Sequence, residues 1–201
     1  MRSSNIIRSA LILACICLVV QSCASTKPSR FYILSSSSIS TPGEMTPGAS
    51  DISLGVGPIK LPEYLNRSQI VTRTSSETVQ LAEFDRWAEP LDKNFARVLA
   101  VDLGYLLRTA KVSLFPTSGF RNLDYQVVVE VIQFDGARGG KASLSVRYTL
   151  FGKDGKEPLV VKKVDFTETV KGDTFEALVA AHCRNVGALS REIASAVRSL
   201  N

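Results

Sequence analysis

Between Ser143 and Leu150 the chain alternates without a break, Leu144, Val146, Tyr148 and Leu150 interleaving with Ser143, Ser145, Arg147 and Thr149. Successive side chains of a strand point to opposite faces, so this run makes one apolar and one polar face as a β-strand. On a helix the same residues would scatter around the axis. A strand with one wet face belongs to an antiparallel sheet covered on one side. Neighbouring runs extend that sheet. Leu123 to Asp135 is strand-like, Gly136-Ala137-Arg138-Gly139-Gly140 forms a hairpin connection, and Leu159 to Val170 follows the turn Lys153-Asp154-Gly155-Lys156. Earlier strands are expected at Phe31 to Leu34, at Ile52 to Gly57, and near 68–74 and 77–83, with Pro58 and Pro62 bracketing an irregular edge.

Two segments carry helical spacing. Leu91, Phe95, Val98, Leu99, Leu106 and Leu107 recur every three or four residues to about Ala110, after Pro90, which suits a first helical position because it has no donor to leave unpaired. The second opens on Asp173, with Glu176 three residues on in the spacing of a capping box. Phe175, Leu178, Val179, Val186, Leu189, Ile193, Val197 and Leu200 carry its apolar face to the C-terminus. The order strands, helix, strands, helix predicts a single α+β domain, a mostly antiparallel sheet with two amphipathic helices packed on one face.

The N-terminus reads differently. Arg2 and Arg8 precede Ala10 to Val20, an apolar run of eleven residues. Eleven lies within the roughly 7 to 15 of a secretion signal and below the roughly 20 that span a bilayer. Val20-Gln21-Ser22-Cys23 then resembles a bacterial lipobox, in which the cysteine becomes the lipidated N-terminus. The alternative is an ordinary cleaved signal with an incidental cysteine. The expected division is a signal peptide over 1–22, a polar tether over 23–30 and a folded domain over 31–201. A flexible loop is expected over 35–50, where twelve of sixteen residues are Ser, Thr, Pro or Gly. An Asp after the cysteine would resemble the inner-membrane retention signal of enteric bacteria; Ala24 points instead to the periplasmic face of a Gram-negative outer membrane.

Removing the first 22 of 201 residues leaves 179, with 22 basic and 19 acidic side chains. The basic residues form no dense block, so nucleic acid is not an expected partner. Cys15 and Cys17 leave with the signal and Cys23 is acylated, so Cys183 remains alone and cannot form an internal disulfide. His182 is the only histidine and neighbours Cys183, but adjacent helical residues point about 100° apart and do not form a nucleophile–base pair. Neither a metal site nor a cofactor is expected, and no catalytic residue is assigned. Asp85, Glu89 and Asp92 read as partners of a helix dipole.

One stretch is distinctive as a unit. Gly55-Val56-Gly57-Pro58-Ile59-Lys60-Leu61-Pro62-Glu63-Tyr64-Leu65-Asn66-Arg67-Ser68-Gln69-Ile70-Val71-Thr72-Arg73, with Arg86-Trp87-Ala88-Glu89-Pro90-Leu91 downstream, resembles the PqiC family. These are auxiliary lipoproteins of ABC-type or MCE-type lipid transport systems, a group that includes YmbA. Where this chain has Asn66-Arg67-Ser68-Gln69 the family commonly has Asp-Arg-Pro-Gln. The resemblance implies a non-catalytic lipoprotein held in the membrane through Cys23. It would dock an MCE-domain protein and inner-membrane transporter components and support envelope integrity. Whether it forms a homo-oligomer is left open. Tyr64, Arg67 and Trp87 are the candidate partner-binding residues: Tyr64 can cover a sheet end, Arg67 is a surface cation, and Trp87 is either a staple into the core or an exposed anchor. Two other classes stay open, a periplasmic lipid-binding carrier and an outer-membrane assembly lipoprotein.

Overall fold

The computed structural model describes residues 27–37, 50–116, 123–153 and 155–200. Cys23, the expected signal segment and most of the expected loop lie outside the described residues.

Two sheets and two long helices make up the fold. The smaller sheet has the order β1-β4-β3, from β1 (Arg30–Tyr32), β3 (Gln69–Arg73) and β4 (Val79–Trp87). The larger has the order β5-β2-β6-β7-β8, from β2 (Leu54–Lys60), β5 (Val112–Leu114), β6 (Tyr125–Gly136), β7 (Lys141–Phe151) and β8 (Pro158–Thr169). Helices α1 (Leu91–Leu107) and α2 (Phe175–Ser199) pack on each other, α1 covering β2 and β5 and α2 covering β6, β7 and β8. The chain is therefore an α+β domain with both helices against the larger sheet.

The alternating run is the central antiparallel strand, β7. Leu144, Val146, Tyr148 and Leu150 are at most 1% exposed, and Arg147 is exposed opposite Glu130, to which it donates at 2.8 Å. The polar face is not uniformly wet, because Ser145 is buried. The longest ladders, β6 with β7 and β7 with β8, are antiparallel, but β2 runs parallel to both β5 and β6, and β1 parallel to β4. Parallel neighbours need a crossover, and the route from β2 to β5 supplies one through the smaller sheet and α1.

Helix ends depart from expectation by one to three residues. Pro90 stands at the N-cap, outside the helix, with φ −53° and ψ 129°, and α1 begins at Leu91. It stops at Leu107 rather than Ala110 because Arg108 adopts the left-handed conformation at φ 55°, and the Thr109 hydroxyl donates to the Ile52 carbonyl at 2.6 Å. The cap of α2 is Thr174, whose Oγ1 accepts from the Ala177 amide at 3.2 Å, not Asp173. Thr174 offers the same acceptor one position later, and Asp173 instead faces Arg138 at 3.9 Å. Glu176 thus stands two residues after the cap rather than the three of a capping box, and its carboxylate accepts from the Tyr32 hydroxyl at 3.1 Å.

After β1 the chain enters the seam between the helices. The Leu34 amide donates to Asn94 Oδ1 at 2.6 Å, and Asn94 Nδ2 donates to the Leu34 carbonyl at 3.2 Å. The Ser35 amide lies 3.4 Å from Cys183 Sγ, and Ser36 Oγ donates to Asp102, which also accepts from Ser190 Oγ at 2.9 Å. Residues 35–37 of the expected loop thus form a strap bonded to both helices. Gly187 makes room for it, since a Cβ there would stand 1.9 Å from Ser37 Oγ.

Candidate docking groove

The two distinctive sequence stretches meet at one end of the smaller sheet. Pro62 ends the irregular edge after β2, and Glu63–Leu65 makes one 3₁₀ turn, with the Leu65 amide donating to the Pro62 carbonyl at 2.9 Å. Leu65 is buried and fixes the turn to the core. Asn66, Arg67 and Ser68 follow as an exposed rim, and the Trp87 amide donates to the Ser68 carbonyl at 2.6 Å, joining the turn to the end of β4. The result is an open groove of about 320 Å³ lined by Asn66, Arg67, Ser68, Trp87, Ala88, Glu89, Pro90 and Leu91.

Its floor is rigid and its rim is charged. Trp87 is 6% exposed, with its ring centroid 6.2 Å from that of Phe134, which also meets Phe95 edge-on at 5.7 Å. Of the two roles open to Trp87 in the sequence, the structure assigns the core staple, one edge of which reaches the groove. Glu89 accepts from Arg97 at 2.5 Å. Arg67 is exposed, and among the described residues its guanidinium has no ion-pair or hydrogen-bond partner. An unpaired guanidinium beside an apolar floor can take a carboxylate or phosphate together with a neighbouring apolar group.

Tyr64, the third candidate, turns the other way. Its hydroxyl donates to Asp135 Oδ2 at 3.0 Å, and burial, then the Asp135 charge, pushes its pKa up to about 12. Asp135 is the residue that sequence reasoning missed. Fully buried at the end of β6, it takes Arg73 Nε at 2.9 Å on one oxygen and Nη2 at 2.8 Å on the other, with Gln133 Nε2 at 2.8 Å. Burial raises its pKa, but hydrogen bonds from Arg73, Gln133 and Tyr64 outweigh burial and hold the carboxyl below its ordinary value. This bidentate pair ties β3 of the smaller sheet to β6 of the larger across 62 residues of sequence. The only local signal is an aspartate closing an apolar strand.

His182 lies beneath the same aromatic cluster, its ring 4.1 Å from Phe134, with Nδ1 buried and unpartnered among the described residues. Burial lowers its pKa to about 4, against a smaller opposing effect of Asp135. Cys183 is buried on another face of α2. Asp85 does not serve the α1 dipole: it lies buried in β4, accepting from the Tyr32 hydroxyl at 2.8 Å and pairing with Arg30 at 2.8 Å. Asp92 alone of that trio occupies the first turn of α1. Among the described residues no group of three His, Cys, Asp or Glu is placed to hold a metal, and no helix is long and apolar enough to cross a membrane.

A crystal structure of an uncharacterized protein superposes with a TM-score of 0.68 at 19% identity, covering 85% of this chain and 99% of that one. That of protein XCC0632 from Xanthomonas campestris gives 0.66 at 14% identity, covering 83% and 93%. At these identities the likeness is one of fold. No curated protein matches the sequence. Residues 32–194 match the family described as the ABC-type transport auxiliary lipoprotein component. That span takes in both motif stretches, the Arg73–Asp135 tie and α2 as far as Ala194, and the chain belongs to this family.

Proposed function

We propose that this chain is a non-catalytic, periplasm-facing subunit of an intermembrane lipid transport system, anchored in the outer membrane through Cys23. It docks an MCE-domain component through the groove rimmed by Arg67 and floored by Trp87. Membership of the family associates the chain with an ABC-type transport system. The observation that carries the docking site is that the two motif stretches, 66–68 and 87–91, build a single groove whose one free cation among the described lining residues is Arg67. A rigid aromatic floor and an unpaired rim cation are the makings of a binding hot spot.

The test is crosslinking in the native host followed by purification of this lipoprotein. An MCE or ABC component should be recovered with the unsubstituted protein and lost with Arg67→Glu. Recovery of neither component from the unsubstituted protein refutes the reading.

A further inference from the structure

The outer face of β1 carries an apolar patch that the docking groove does not use. Arg30 and Tyr32 occupy the opposite face, where Arg30 pairs with Asp85 and Glu176 and the Tyr32 hydroxyl donates to both. Phe31 is 65% exposed, and Ile33, just beyond the strand, is 50% exposed. Parallel pairing sets Phe31 beside Arg86 of β4, and Phe84 lies two residues from Arg86, on the same face. Lys27 precedes the patch, exposed and without a partner among the described residues. Two large apolar groups, one on an edge strand and one just past its end, flanked by cations, match a surface that meets a headgroup layer.

The position of the patch in the chain names its occupant. Phe31 lies eight residues after Cys23. Eight residues span at most about 28 Å, so a lipid on Cys23 keeps Phe31 within about 28 Å of the bilayer surface. β1 is also fixed to the domain, because the strap after it is bonded to Asn94, Asp102 and Cys183. Whatever Phe31 rests on therefore orients the whole molecule.

We propose that Phe31 and Ile33 form a second, non-covalent contact with an anionic phospholipid surface, with Lys27 and Arg86 facing its headgroups. The contact fixes the tilt of the domain on the membrane. This rests on the anchorage of Cys23.

The test uses the full, processed chain in vesicles of phosphatidylethanolamine and phosphatidylglycerol. Phe31→Trp supplies a reporter beside the buried Trp87, and Val161→Trp, on the far edge strand β8, is the comparison. Brominated acyl chains should quench the Phe31→Trp signal about twofold beyond that of Trp87 alone, as a ring roughly 5–10 Å deep at the headgroup boundary requires, and leave Val161→Trp unchanged. A Phe31→Trp signal that iodide quenches equally with and without vesicles overturns the proposal. So does one shielded from iodide but untouched by bromine, which would place protein over the patch. Failure of the anchorage reading shows separately, as a purified protein whose intact mass lacks acyl chains.

Discussion

The buried imidazole of His182 makes stability depend on pH between about pH 6.5 and pH 4. His182 is the only histidine, is fully buried against Phe134, and its pKa falls from 6.5 to about 4 in the fold. Between those values the unfolded chain binds a proton that the folded chain refuses. The stability is therefore complete above the unfolded value of 6.5 and is lost as pH falls toward the folded value of about 4. Applying the linkage relation to these two values, unfolding free energy should drop by about 2 kcal/mol between roughly pH 7.5 and pH 5, with a slope reaching about 1.2 kcal/mol per pH unit. Asp135 does not confuse the reading, since its carboxyl is held below the ordinary value and loses its stabilisation only in stronger acid. The assay is urea unfolding followed by circular dichroism across that range, on the unsubstituted protein and on His182→Gln. The variant starts from a lower stability and should lose the part of the slope that belongs to His182, up to about 1.2 kcal/mol per pH unit. A flat profile for the unsubstituted protein, or an equal slope in the variant, would show that the imidazole is not a buried neutral base.

Other substitutions probe the remaining supports. Asp135→Ala strands the Arg73 guanidinium and leaves Tyr64 and Gln133 without their acceptor, so unfolding free energy should fall by about 3–5 kcal/mol in denaturant melts. Gly136→Ala places a Cβ 2.4 Å from the Lys141 carbonyl oxygen and 2.7 Å from Ala142 Cα, both main chain, and should cost at least about 1–3 kcal/mol in the same assay. Arg67→Glu, on an exposed side chain, should change stability by less than about 0.5 kcal/mol while abolishing crosslinking to the transport partner. Cys23→Ala should leave a folded protein that fractionates with soluble periplasm, and full transport activity from that form would refute a role for anchorage.

Period and composition made much of this molecule legible. The alternation of β7, the apolar faces of α1 and α2, and the hairpin between β6 and β7 are local properties that a single segment displays. Hence the α+β class and the order strands, helix, strands, helix could be read directly, with helix ends displaced by caps that tertiary partners chose, whereas β5, three residues long and too short to display a period, was not expected. Strand direction was less visible. Side-chain alternation is the same for parallel and antiparallel neighbours, so nothing in Leu54–Lys60 reveals that β2 lies parallel between β5 and β6. Tyr64, Arg67 and Trp87 were legible as a distinctive set, yet their sequence proximity did not separate roles. Only packing turns the Tyr64 hydroxyl toward Asp135, sinks Trp87 against Phe134 and leaves Arg67 on the rim.

The sequence by itself determined both helices, most of the strands and the chemistry open to each side chain, because these depend on residues close together in the chain, and the same local pattern carries the expectation of a lipid anchor at Cys23. The tertiary structure alone decided that Arg73 meets Asp135, that Asn94 and Asp102 hold the strap after β1, and that segments 66–68 and 87–91 share one groove. Those pairings join residues about 20 to 66 positions apart, and a hydrogen bond or cavity wall forms wherever folding brings complementary groups together, whatever their separation in the chain.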